Sequence, residues 1–404
     1  MNIPFGSPDV GKQELDEIRG ILESGWLTNG PKTKEFEKKI ASISHADGCV
    51  CFDSCTGALV TTLRMLGIGP GDEVITTPYT YTATAAVINH VGAKLVFCDL
   101  APDSFEMDYD KLADLITERT KAVIPVDIGG KMCDYRRLFH AIDSRRHLFK
   151  ANTPVQEAFN RPVVVADAAH SFSASKKIDG ESVMSGELAD FTCFSFHVLK
   201  VITTGGEGGA VVWKQIPGID TSSIWYTLKL LGDNGQTLRN TKSSGNKWEY
   251  DIQYLGHNHI MTDIDAAMGM VQLDRLEALA GKRAIITYLY DQAFAGKVER
   301  MIEHLPADES YQSSMHLYPV RIPGGEERRN AVFERMYQLG VCCNVHYKPL
   351  PMFTAYKRLG FLMEDYPEAY RRFSEELTLP YHSKLTRMQI EIITKSLLQA
   401  VEKE

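Results

Sequence analysis

The stretch 48–99, GCVCFDSCTGALVTTLRMLGIGPGDEVITTPYTYTATAAVINHVGAKLVFCD, decides the fold because short apolar runs alternate in it with a helical pattern. The runs 48–53, 73–76 and 94–99 have the length and composition of β-strands, whereas 57–67 has the spacing of an amphipathic helix. Strands that are apolar throughout, rather than at alternate positions, are typical of parallel strands covered by helices on both faces. The stretch therefore predicts an α/β core built on a mostly parallel sheet.

The same alternation continues towards the middle of the chain and adds strands to the predicted sheet. Residues 134–143 have the spacing of a second amphipathic helix, and 145–160 interrupts the pattern with a helix and a loop that lengthen one crossover. Further strands are predicted at 121–126, 162–166, 190–194 and 209–213. The α/β pattern therefore accounts for the first half of the chain.

A polar segment, 231–250, separates this region from the remainder of the chain. It is rich in Gly, Asn and Ser and has no periodicity, which is typical of a functional loop or a locally disordered one. Beyond it, Thr262 is a candidate N-cap for a strong helix. The runs predicted as strands there are MHLYPVRI (315–322) and VCCNVHY (341–347). We therefore expect a large α/β domain over 1–255 and a smaller α+β domain over 256–404.

The composition excludes several classes of protein. The chain has 404 residues, which is enough for one large core and a smaller one, and its formal net charge is −8. Because it contains no block of Lys and Arg, we expect neither nucleic acid nor an anionic membrane as a partner. The chain contains no run of about 18 apolar residues, so no membrane-spanning helix is expected. The first residues lack the pattern of a signal peptide. We therefore expect a cytoplasmic protein.

The eight cysteines mostly lie inside apolar runs, which is typical of buried, reduced thiols in the cytosol. Cys49, Cys51 and Cys55 are close enough in sequence to raise the question of a metal site. However, positions 49 and 51 share a strand face that should belong to the core, and no cluster of His or Cys elsewhere completes a ligand set. We therefore expect no metal.

Residues 53–59, DSCTGAL, leave a buried strand and enter a helix. The free backbone N–H groups and the positive dipole end of a helix N-terminus bind anions, and the hydroxyls of Ser54 and Thr56 would add donors. The segment has neither the lysine nor the glycine spacing of a nucleotide-binding P-loop. Taken alone, it is equally compatible with a plain helix cap.

Two further residues stand where chemistry is expected. Asp167 ends the most apolar strand, and a carboxylate at this end of an open α/β sheet lies where ligands bind, although a helix cap would also explain it. Lys200 lies between an apolar strand and the glycine-rich turn TTGGEGG. Apolar surroundings would lower its pKa and present a neutral amine for Schiff-base formation. Taken singly, such a lysine is more often a surface residue of a hairpin loop.

The order of these three elements is more informative than any one of them. An anion site is followed by an acid at a strand end and then, 33 residues after the acid, by a lysine. A pyridoxal phosphate pocket requires this set, because the phosphate needs donors, the pyridine nitrogen needs a carboxylate and the aldehyde needs an amine. The three elements together therefore predict a pyridoxal phosphate enzyme.

Six long motifs are ordered and spaced along the chain as they are in one known family. They are GWLTNGPKTKEFEKKIA, TGALVTTLRMLGIGPGDEVITTPYTYTATAAVI, VVVADAAHSF, FSFHVLKVITTGGEGG, LGHNHIMTDIDAAMGMVQLDRL and NVHYKPLP. On these motifs the chain resembles the DegT/DnrJ/StrS-type sugar aminotransferases, within the fold-type I pyridoxal phosphate enzymes. The resemblance implies a three-layer sandwich with a mostly parallel sheet, like that of aspartate aminotransferase, and a smaller C-terminal α+β domain.

The resemblance implies a role for each residue at the matching catalytic positions. Lys200 would hold the cofactor as a Schiff base and then shuttle the proton between the substrate carbon and the cofactor. Asp167 would pair with the pyridine nitrogen, and His170 would hydrogen-bond the phenolic oxygen of the cofactor. Tyr81 would stack on the cofactor ring.

The resemblance also implies which groups hold the phosphate. These are Cys55 through its backbone, Thr56, Ser195 and, from a second subunit, Asn258. The active site would therefore belong to a homodimer. The chain departs from the family at Cys55, where Gly or Ala is usual, and at His259 and Ile260, which replace an aromatic residue and an arginine. The missing guanidinium leaves open how an anionic part of the substrate is bound.

The reaction that the resemblance implies has two stages, in which L-glutamate gives its amino group to the cofactor and a nucleotide-linked keto sugar then takes it. Such a reaction would serve amino-sugar synthesis for surface polysaccharide or for a secondary metabolite. Sugar 3-dehydratases of the same family replace the Schiff-base lysine by histidine, so Lys200 argues against that activity. An amino-cyclitol or aromatic amine synthase and a non-catalytic regulatory relative are the remaining alternatives. Loops at 231–250 and 345–355 would set the choice of sugar.

Overall fold

The structure, a computed structural model, describes residues 2–237 and 249–403. Most of the loop predicted at 231–250 therefore lies outside the described residues. The described strands are β1 Gly48–Phe52, β2 Glu73–Thr76, β3 Lys94–Phe97, β4 Thr120–Ile124, β5 Val163–Asp167, β6 Ser175–Ile178, β7 Glu181–Met184, β8 Phe191–Ser195, β9 Gly209–Trp213, β10 Glu299–Arg300, β11 Tyr311–Gln312, β12 Tyr318–Arg321 and β13 Glu376–Leu379.

The helices connect and cover these strands. They are α1 Lys12–Ser24, α2 Pro31–Ile43, α3 Cys55–Met65, α4 Thr82–His90, α5 Tyr109–Leu115, α6 Tyr135–Ser144, α7 Pro154–Phe159, α8 Thr221–Gly232, α9 Asp263–Asp274, α10 Leu276–Phe294, α11 Gly325–Gln338, α12 Thr354–Arg358, α13 Pro367–Glu375 and α14 Arg387–Lys403. Short 3₁₀ turns lie at Ile128–Gly130, Arg146–Leu148, Ser185–Glu187, Leu350–Met352 and Met363–Asp365. Of the helices that the structure describes, none is both long and apolar enough to cross a membrane.

A seven-stranded sheet forms the centre of the molecule, in the order β1-β9-β8-β5-β4-β2-β3. The pairs from β3 to β8 are parallel, and only β9 runs antiparallel to its two neighbours. These are the seven strands that the apolar runs predict, with ends that differ by no more than a few residues. The expected α/β fold with a mostly parallel sheet is confirmed.

Helices cover both faces of this sheet, which explains why its strands are apolar throughout. In β5, Val163 and Val165 belong to the core under α3, α4 and α8. Val164 and Ala166 point to the opposite face, where they join the core under α5 and α6. Because successive side chains of a strand alternate between faces, two covered faces require an apolar residue at every position. The result is a three-layer sandwich.

The strand directions bring three separate chain segments to one edge of the sheet. Because β9 is antiparallel to both β1 and β8, those two strands run in the same direction as β5. The carboxyl ends of β1, β5 and β8 therefore lie at the same edge. The start of α3, the residue Asp167 and the segment leading to Lys200 follow these three ends. Ligands of open α/β sheets bind at this edge.

A second apolar core lies among α10, α11, α14 and the antiparallel sheet β10-β12-β13. The first buried helical residue of this core is Ile286, in α10. By contrast, Ala266 and Met270 of α9 pack in the core of the large sheet. The division of the chain at 255/256 stays a prediction. This packing favours placing α9 with the large unit and the boundary within α10.

One predicted strand is wrong. Residues 341–347 form only isolated bridges, from Val341 to Ile3 and from Asn344 to Thr378, and no continuous ladder. Residues 344–347 border the cavity, and the backbone of the segment makes only scattered hydrogen bonds, for example from Cys342 N–H to the Ile3 carbonyl and from His346 N–H to a Glu376 side-chain oxygen. The hairpin β6–β7, which extends to β11, was not predicted. The predicted cap of α9 is confirmed, because the Thr262 hydroxyl accepts a hydrogen bond from the backbone N–H of Asp265 at 3.2 Å.

Candidate active site

A cavity of about 1280 Å³ opens at the carboxyl edge of the central sheet. Seven of the eight predicted site residues line it, namely Cys55, Thr56, Tyr81, Asp167, His170, Ser195 and Lys200. The eighth, Asn258, is exposed and does not line the cavity of its own chain. Residues that lie far apart in sequence therefore meet where the strand directions place them.

The N-terminus of α3 forms one wall of the cavity. The Ser54 hydroxyl accepts a hydrogen bond from Gly57 N–H at 3.0 Å and donates to Asp53 Oδ1 at 3.0 Å. It therefore caps the helix and is engaged, so the expectation that it adds a donor for an anion is wrong. The backbone N–H groups of Cys55 and Thr56, in the first turn, have no acceptor within the helix. They remain as the donors that an anion would meet.

The Cys55 side chain contacts strand β8. Its thiol lies 3.5 Å from the carbonyl oxygen of Cys193, and burial raises the pKa of the thiol well above its usual value. A Cβ built on Gly209 would come within 2.3 Å of the Cys55 backbone nitrogen, so only glycine lets β9 pass beneath the start of α3. The cysteine in place of a smaller residue thus leaves the backbone of the first turn available.

Asp167 is held in place at the end of β5 by two hydrogen bonds. Its Oδ2 accepts from the Thr84 hydroxyl at 2.6 Å, and its Oδ1 accepts from the Ala169 N–H at 3.2 Å. Burial raises the pKa of Asp167, an effect that these hydrogen bonds and the positive charge of Lys200 oppose. A buried carboxylate of this kind favours a cationic partner. Sequence reasoning missed Thr84, although PYTYTATA offers hydroxyls at the start of the following helix.

Lys200 presents its amine in the same cavity. Desolvation lowers the pKa of Lys200 to about 8, and the negative charge of Asp167 opposes this effect. The turn is fixed on both sides of the lysine, because its own N–H donates to the His197 carbonyl at 2.8 Å and Arg283 Nη2 donates to the Val201 carbonyl at 3.0 Å. About a tenth of the amine is therefore neutral at pH 7, far more than for an ordinary lysine. Arg283 carried no signal in the sequence.

His170 lies between two hydrogen-bonding groups. The Gly129 N–H donates to its Nδ1 at 3.1 Å, and its Nε2 lies 3.0 Å from the Tyr347 hydroxyl. Burial holds the pKa of His170 well below its usual value. Its ring centroid lies 4.4 Å from that of His316, which also lines the cavity.

Sequence reasoning missed three further cavity residues, His316, His346 and Tyr347. They come from the segments predicted as strands, where a histidine or a tyrosine is compatible with an ordinary strand position. Burial lowers the pKa of His346 to about 3, so its ring is neutral. The predicted Tyr81 is 62% exposed, and its ring centroid lies 6.3 Å from that of Tyr347. Only the tertiary structure brings these rings together.

The residues that depart from the family after Asn258 lie beside α3. His259 Nδ1 is 2.9 Å from Asp53 Oδ2, and Ile260 forms a bridge with Phe52. Among the described residues, Asn258 pairs only through its backbone, with Asp233. A role for its side chain in a second subunit stays a prediction.

The arrangement matches the requirements of pyridoxal phosphate. The unpaired N–H groups at the start of α3 suit a phosphate, the buried Asp167 suits a protonated pyridine nitrogen, and the amine of Lys200 suits an aldehyde. Each group stands in the same cavity, and the lysine has the lowered pKa that a nucleophilic amine needs. The chemistry of the donor set therefore fits the cofactor.

Comparisons with known proteins bear on the whole chain. The sequence profile of the DegT/DnrJ/EryC1/StrS aminotransferase family matches residues 8–398. Spore coat polysaccharide biosynthesis protein SpsC of Bacillus subtilis (strain 168) is 32% identical, over 99% of this chain and 97% of that protein. A UDP-4-amino-4,6-dideoxy-N-acetyl-beta-L-altrosamine transaminase of Campylobacter jejuni is 29% identical, over 99% of this chain and 98% of that protein.

Solved structures share the fold. Spr1654 of Streptococcus pneumoniae, named as a sugar aminotransferase, is 44% identical in its PLP form, with a TM-score of 0.94 over 100% of this chain and 99% of that one. PseC of Helicobacter pylori, an aminotransferase of pseudoaminic acid biosynthesis, is 25% identical, with a TM-score of 0.83 over 100% of both chains. The likeness thus extends from one end of the chain to the other.

Proposed function

Because the chain belongs to the DegT/DnrJ/EryC1/StrS aminotransferase family, we propose that it transfers the amino group of L-glutamate to a keto sugar carried by a nucleoside diphosphate. The chain is a pyridoxal-phosphate-dependent aminotransferase. The observation that best supports this chemistry is the position of Lys200. Its amine has a pKa of about 8 and shares one cavity with Asp167 and the start of α3.

We assign the binding of the cofactor to residues of the cavity. Asp167 holds the pyridine nitrogen. The phosphate is held by the backbone of Cys55 and by Thr56 and Ser195. Tyr81 covers the ring. When bound, pyridoxal phosphate supplies an electron sink that stabilises a carbanion at the carbon whose proton is removed. The negative charge of Asp167 keeps the pyridine nitrogen protonated, and Thr84 and Ala169 N–H hold that carboxylate in position.

Lys200 moves the proton in each half of the reaction. A general base or acid works best when its pKa lies near the working pH, and desolvation brings the pKa of Lys200 to about 8. Hydrogen bonds on both sides of Lys200 fix the backbone from which its side chain extends. His170, His316 and His346 are neutral and do not compete for this proton.

The size of the cavity supports a large acceptor. Sites for single small molecules measure about 300–1000 Å³, whereas this cavity measures about 1280 Å³. It therefore has room for the cofactor together with a second ligand. The relative from Campylobacter jejuni is a transaminase of a UDP-linked amino sugar, and SpsC serves polysaccharide biosynthesis. These relatives support a nucleotide-linked keto sugar as the acceptor and amino-sugar synthesis for polysaccharide as the purpose.

The assignment of donor and acceptor is tested by the visible spectrum of the purified holoenzyme. Adding L-glutamate should remove the absorption of the lysine-bound cofactor, and adding the correct nucleotide keto-sugar should restore it. A panel of such sugars identifies the acceptor by mass spectrometry of the aminated product. A spectrum unchanged by glutamate would exclude this donor. A sugar product that loses water without gaining nitrogen would indicate a dehydratase instead.

The rate at which the apoenzyme captures pyridoxal phosphate should depend on pH through Lys200. Only the neutral amine attacks the aldehyde, so the rate should rise as the pH passes through about 8 and level off above it. Stopped-flow absorbance at a series of pH values measures the midpoint. A midpoint near the ordinary lysine value of about 10.4 would contradict the desolvated amine.

We also propose that the working form is a homodimer whose two active sites are shared. Large apolar side chains are exposed at Trp26 and Leu27 and, beyond the undescribed segment, at Ile252, Tyr254 and Leu255. A mostly apolar run of exposed residues such as 252–255 is typical of a protein interface. Asn258 lies directly after this group and is exposed, as a residue that reaches a neighbouring subunit must be. The eight free cysteines are compatible with work in the reducing cytoplasm.

Mixing two inactive variants should restore activity if the sites are shared. Asn258→Ala weakens phosphate binding in the neighbouring site, and Lys200→Ala disables the site of its own chain. In mixed dimers one of the two sites has both residues, so random exchange should recover about a quarter of the wild-type activity. Steady-state assays after co-refolding measure the recovery. Mixed Lys200→Ala and Lys200→Ala/Asn258→Ala chains are the control and should recover none.

A further inference from the structure

Each polar group of His346 is held by a neighbouring residue. Its N–H donates to Glu376 Oε2 at 2.8 Å, and its carbonyl oxygen accepts from the Tyr79 hydroxyl at 2.7 Å. Its ring nitrogen Nδ1 lies 2.9 Å from the Thr378 hydroxyl, and Nε2 lies 3.4 Å from Asn344 Nδ2. His346 and Asn344 line the cavity, whereas Glu376 is fully buried and does not. These contacts therefore connect the cavity wall with the core.

The amide of Asn344 shows which nitrogen of His346 carries the proton. Its Oδ1 accepts from the Val345 N–H at 2.8 Å, so its Nδ2 is the atom that meets the ring. An amide nitrogen only donates, and Nε2 of His346 therefore accepts. Burial lowers the pKa of His346 to about 3, so the ring is neutral and has one proton. That proton is on Nδ1.

The remaining hydrogen bonds then have one direction. Nδ1–H of His346 donates to the Thr378 oxygen, and the Thr378 hydroxyl donates to Glu376 Oε1. Both carboxyl oxygens of Glu376 thus accept, as those of an ionised carboxylate do. We refer to His346, Thr378 and Glu376 as the relay.

Protonation of Glu376 would reverse the relay. One proton is enough, because Nε2 of His346 takes it up, Nδ1 passes its own proton to Thr378, and Thr378 passes its own to Oε1 of Glu376. Oε2 stays an acceptor for the His346 N–H. Asn344 then meets a ring N–H and loses its acceptor. The cavity wall therefore presents a hydrogen-bond acceptor in one state of Glu376 and a donor in the other.

The surroundings of Glu376 make both states accessible near neutral pH. Burial raises the pKa of Glu376 to about 8, an effect that the hydrogen bonds from Thr378 and His346 and the positive charge of Arg329 oppose. Arg329 Nη1 also donates to the Glu376 carbonyl at 2.9 Å. The other titratable groups that interact with this carboxyl group have pKa values raised by burial and stay uncharged, namely Tyr79, Cys343 and Tyr347.

We propose that Glu376 is a positioning residue for the acceptor sugar, which acts through Thr378 to keep Nε2 of His346 unprotonated, so that this nitrogen accepts a hydrogen bond from a sugar hydroxyl. The ligand rests on the proposed function, whereas the relay depends only on contacts within the chain. The bond from Asn344 to Nε2 is longer than the usual range of about 2.7–3.2 Å, and Asn344 is exposed. A hydroxyl of the ligand can therefore replace it.

Nitrogen NMR of holoenzyme labelled with ¹⁵N at its histidines measures the position of the ring proton. Ring nitrogens with and without a proton differ in chemical shift, and the signals of His346 are those lost in His346→Phe. As the pH rises through about 8 and Glu376 ionises, the proton should move from Nε2 to Nδ1. A proton that stays on Nε2 up to about pH 10 would overturn the proposal.

Glu376→Gln should hold the relay in its reversed state at every pH. The amide oxygen must accept from the His346 N–H, so the amide NH₂ group meets Thr378 and donates to it. The ring proton should then stay on Nε2, and a proton on Nδ1 would contradict the relay. Glu375→Gln is the matched control, because Glu375 pairs with Arg321 and does not line the cavity. It should titrate as the wild type does.

A second pair of variants serves if Glu376→Gln does not fold. Thr378→Val removes the hydroxyl and keeps the shape of the side chain, so the ring proton of His346 should no longer move as the pH passes through about 8. Thr378→Ser retains the hydroxyl and should restore the response. If Thr378→Val responds with the wild-type midpoint, the coupling does not pass through Thr378 and the proposal is overturned.

Kinetics test the ligand separately from the relay. In Glu376→Gln the half-reaction with L-glutamate should keep a rate within about twofold of the wild-type rate. With a nucleotide keto-sugar that the wild type aminates, KM should rise about tenfold at unchanged kcat, measured near pH 9, where the wild-type Glu376 is ionised. An unchanged KM, or equal losses in both half-reactions, would overturn the proposal. A wild-type enzyme that aminates no such sugar would refute the proposed function, and the NMR result would decide the relay by itself.

Discussion

Lys200→Ala should abolish transamination, with a loss of at least about 10⁴-fold, and leave the fold intact. The substitution removes the amine to which we assign cofactor binding and proton transfer. The protein should remain as stable as the wild type, because desolvation already disfavours the lysine cation at this place and alanine has no polar group to bury.

The absorption spectrum and the assay with glutamate measure this loss, and thermal unfolding of the apoprotein measures stability. Lys214→Ala is a suitable control, since Lys214 lies on the surface in an ion pair with Asp47 and does not line the cavity. It should retain both the spectrum and the activity. Persistent absorption of the lysine-bound cofactor in Lys200→Ala would refute the assignment of this lysine.

Asp167→Asn should lower the rate of transamination by about 10²- to 10³-fold, because the loss of a buried charge partner costs about 2–5 kcal/mol. The pyridine nitrogen would lose the negative charge that keeps it protonated, and the cofactor would become a poorer electron sink. The amide keeps the shape of the carboxylate, so Thr84 can still donate to this position. Rapid-mixing measurements with glutamate report the effect on the first half of the reaction.

Although Asp167→Asn lowers the rate of transamination, it should not lower the stability of the apoprotein. Burial raises the pKa of Asp167, so the folded state binds this proton more tightly than the unfolded state does. The contribution of this group to stability is therefore lost as the pH rises through its folded pKa. At neutral pH Asp167→Asn removes that cost, and the melting temperature should stay equal or rise.

Asp190→Asn provides the contrasting control. Both oxygens of Asp190 accept hydrogen bonds from Arg161, at 2.7 and 2.8 Å, and the pair lies away from the cavity. This substitution should lower the free energy of unfolding by about 1.5–3 kcal/mol and leave the turnover of folded protein unchanged. If Asp167→Asn instead lost stability and kept its turnover, Asp167 would be structural rather than catalytic.

The seven strands of the central sheet were predictable because their signal is local. A strand covered on both faces needs an apolar residue at nearly every position, so the composition of the five residues in β5 or β8 is enough to predict the strand. The start of α3, Asp167 and Lys200 were predictable for a related reason. Each follows the end of a strand, and parallel strands bring their carboxyl ends to one edge. Order along the chain was enough to place these groups together.

The strand predicted at 341–347 is wrong because an apolar run with an aromatic end does not indicate whether a neighbouring strand is present to pair with it. Val341 and Asn344 find partners at single points, whereas His346 and Tyr347 face the cavity. Ser54 shows the same limit at the scale of one side chain. Its hydroxyl is engaged by Asp53 and Gly57, and a sequence cannot reveal which of several acceptors a hydroxyl takes.

The sequence by itself thus determined the α/β sheet and the cofactor, and it predicted the lysine that binds this cofactor, because burial and strand order are encoded in short windows of residues. Only the tertiary structure decided that Thr84 holds Asp167, that Arg283 fixes the turn of Lys200, and that Tyr347 meets His170. The hydrogen-bonded residues are between 82 and 177 positions apart in the chain. A hydrogen bond over such a separation depends on how whole elements pack, and no local pattern encodes that packing.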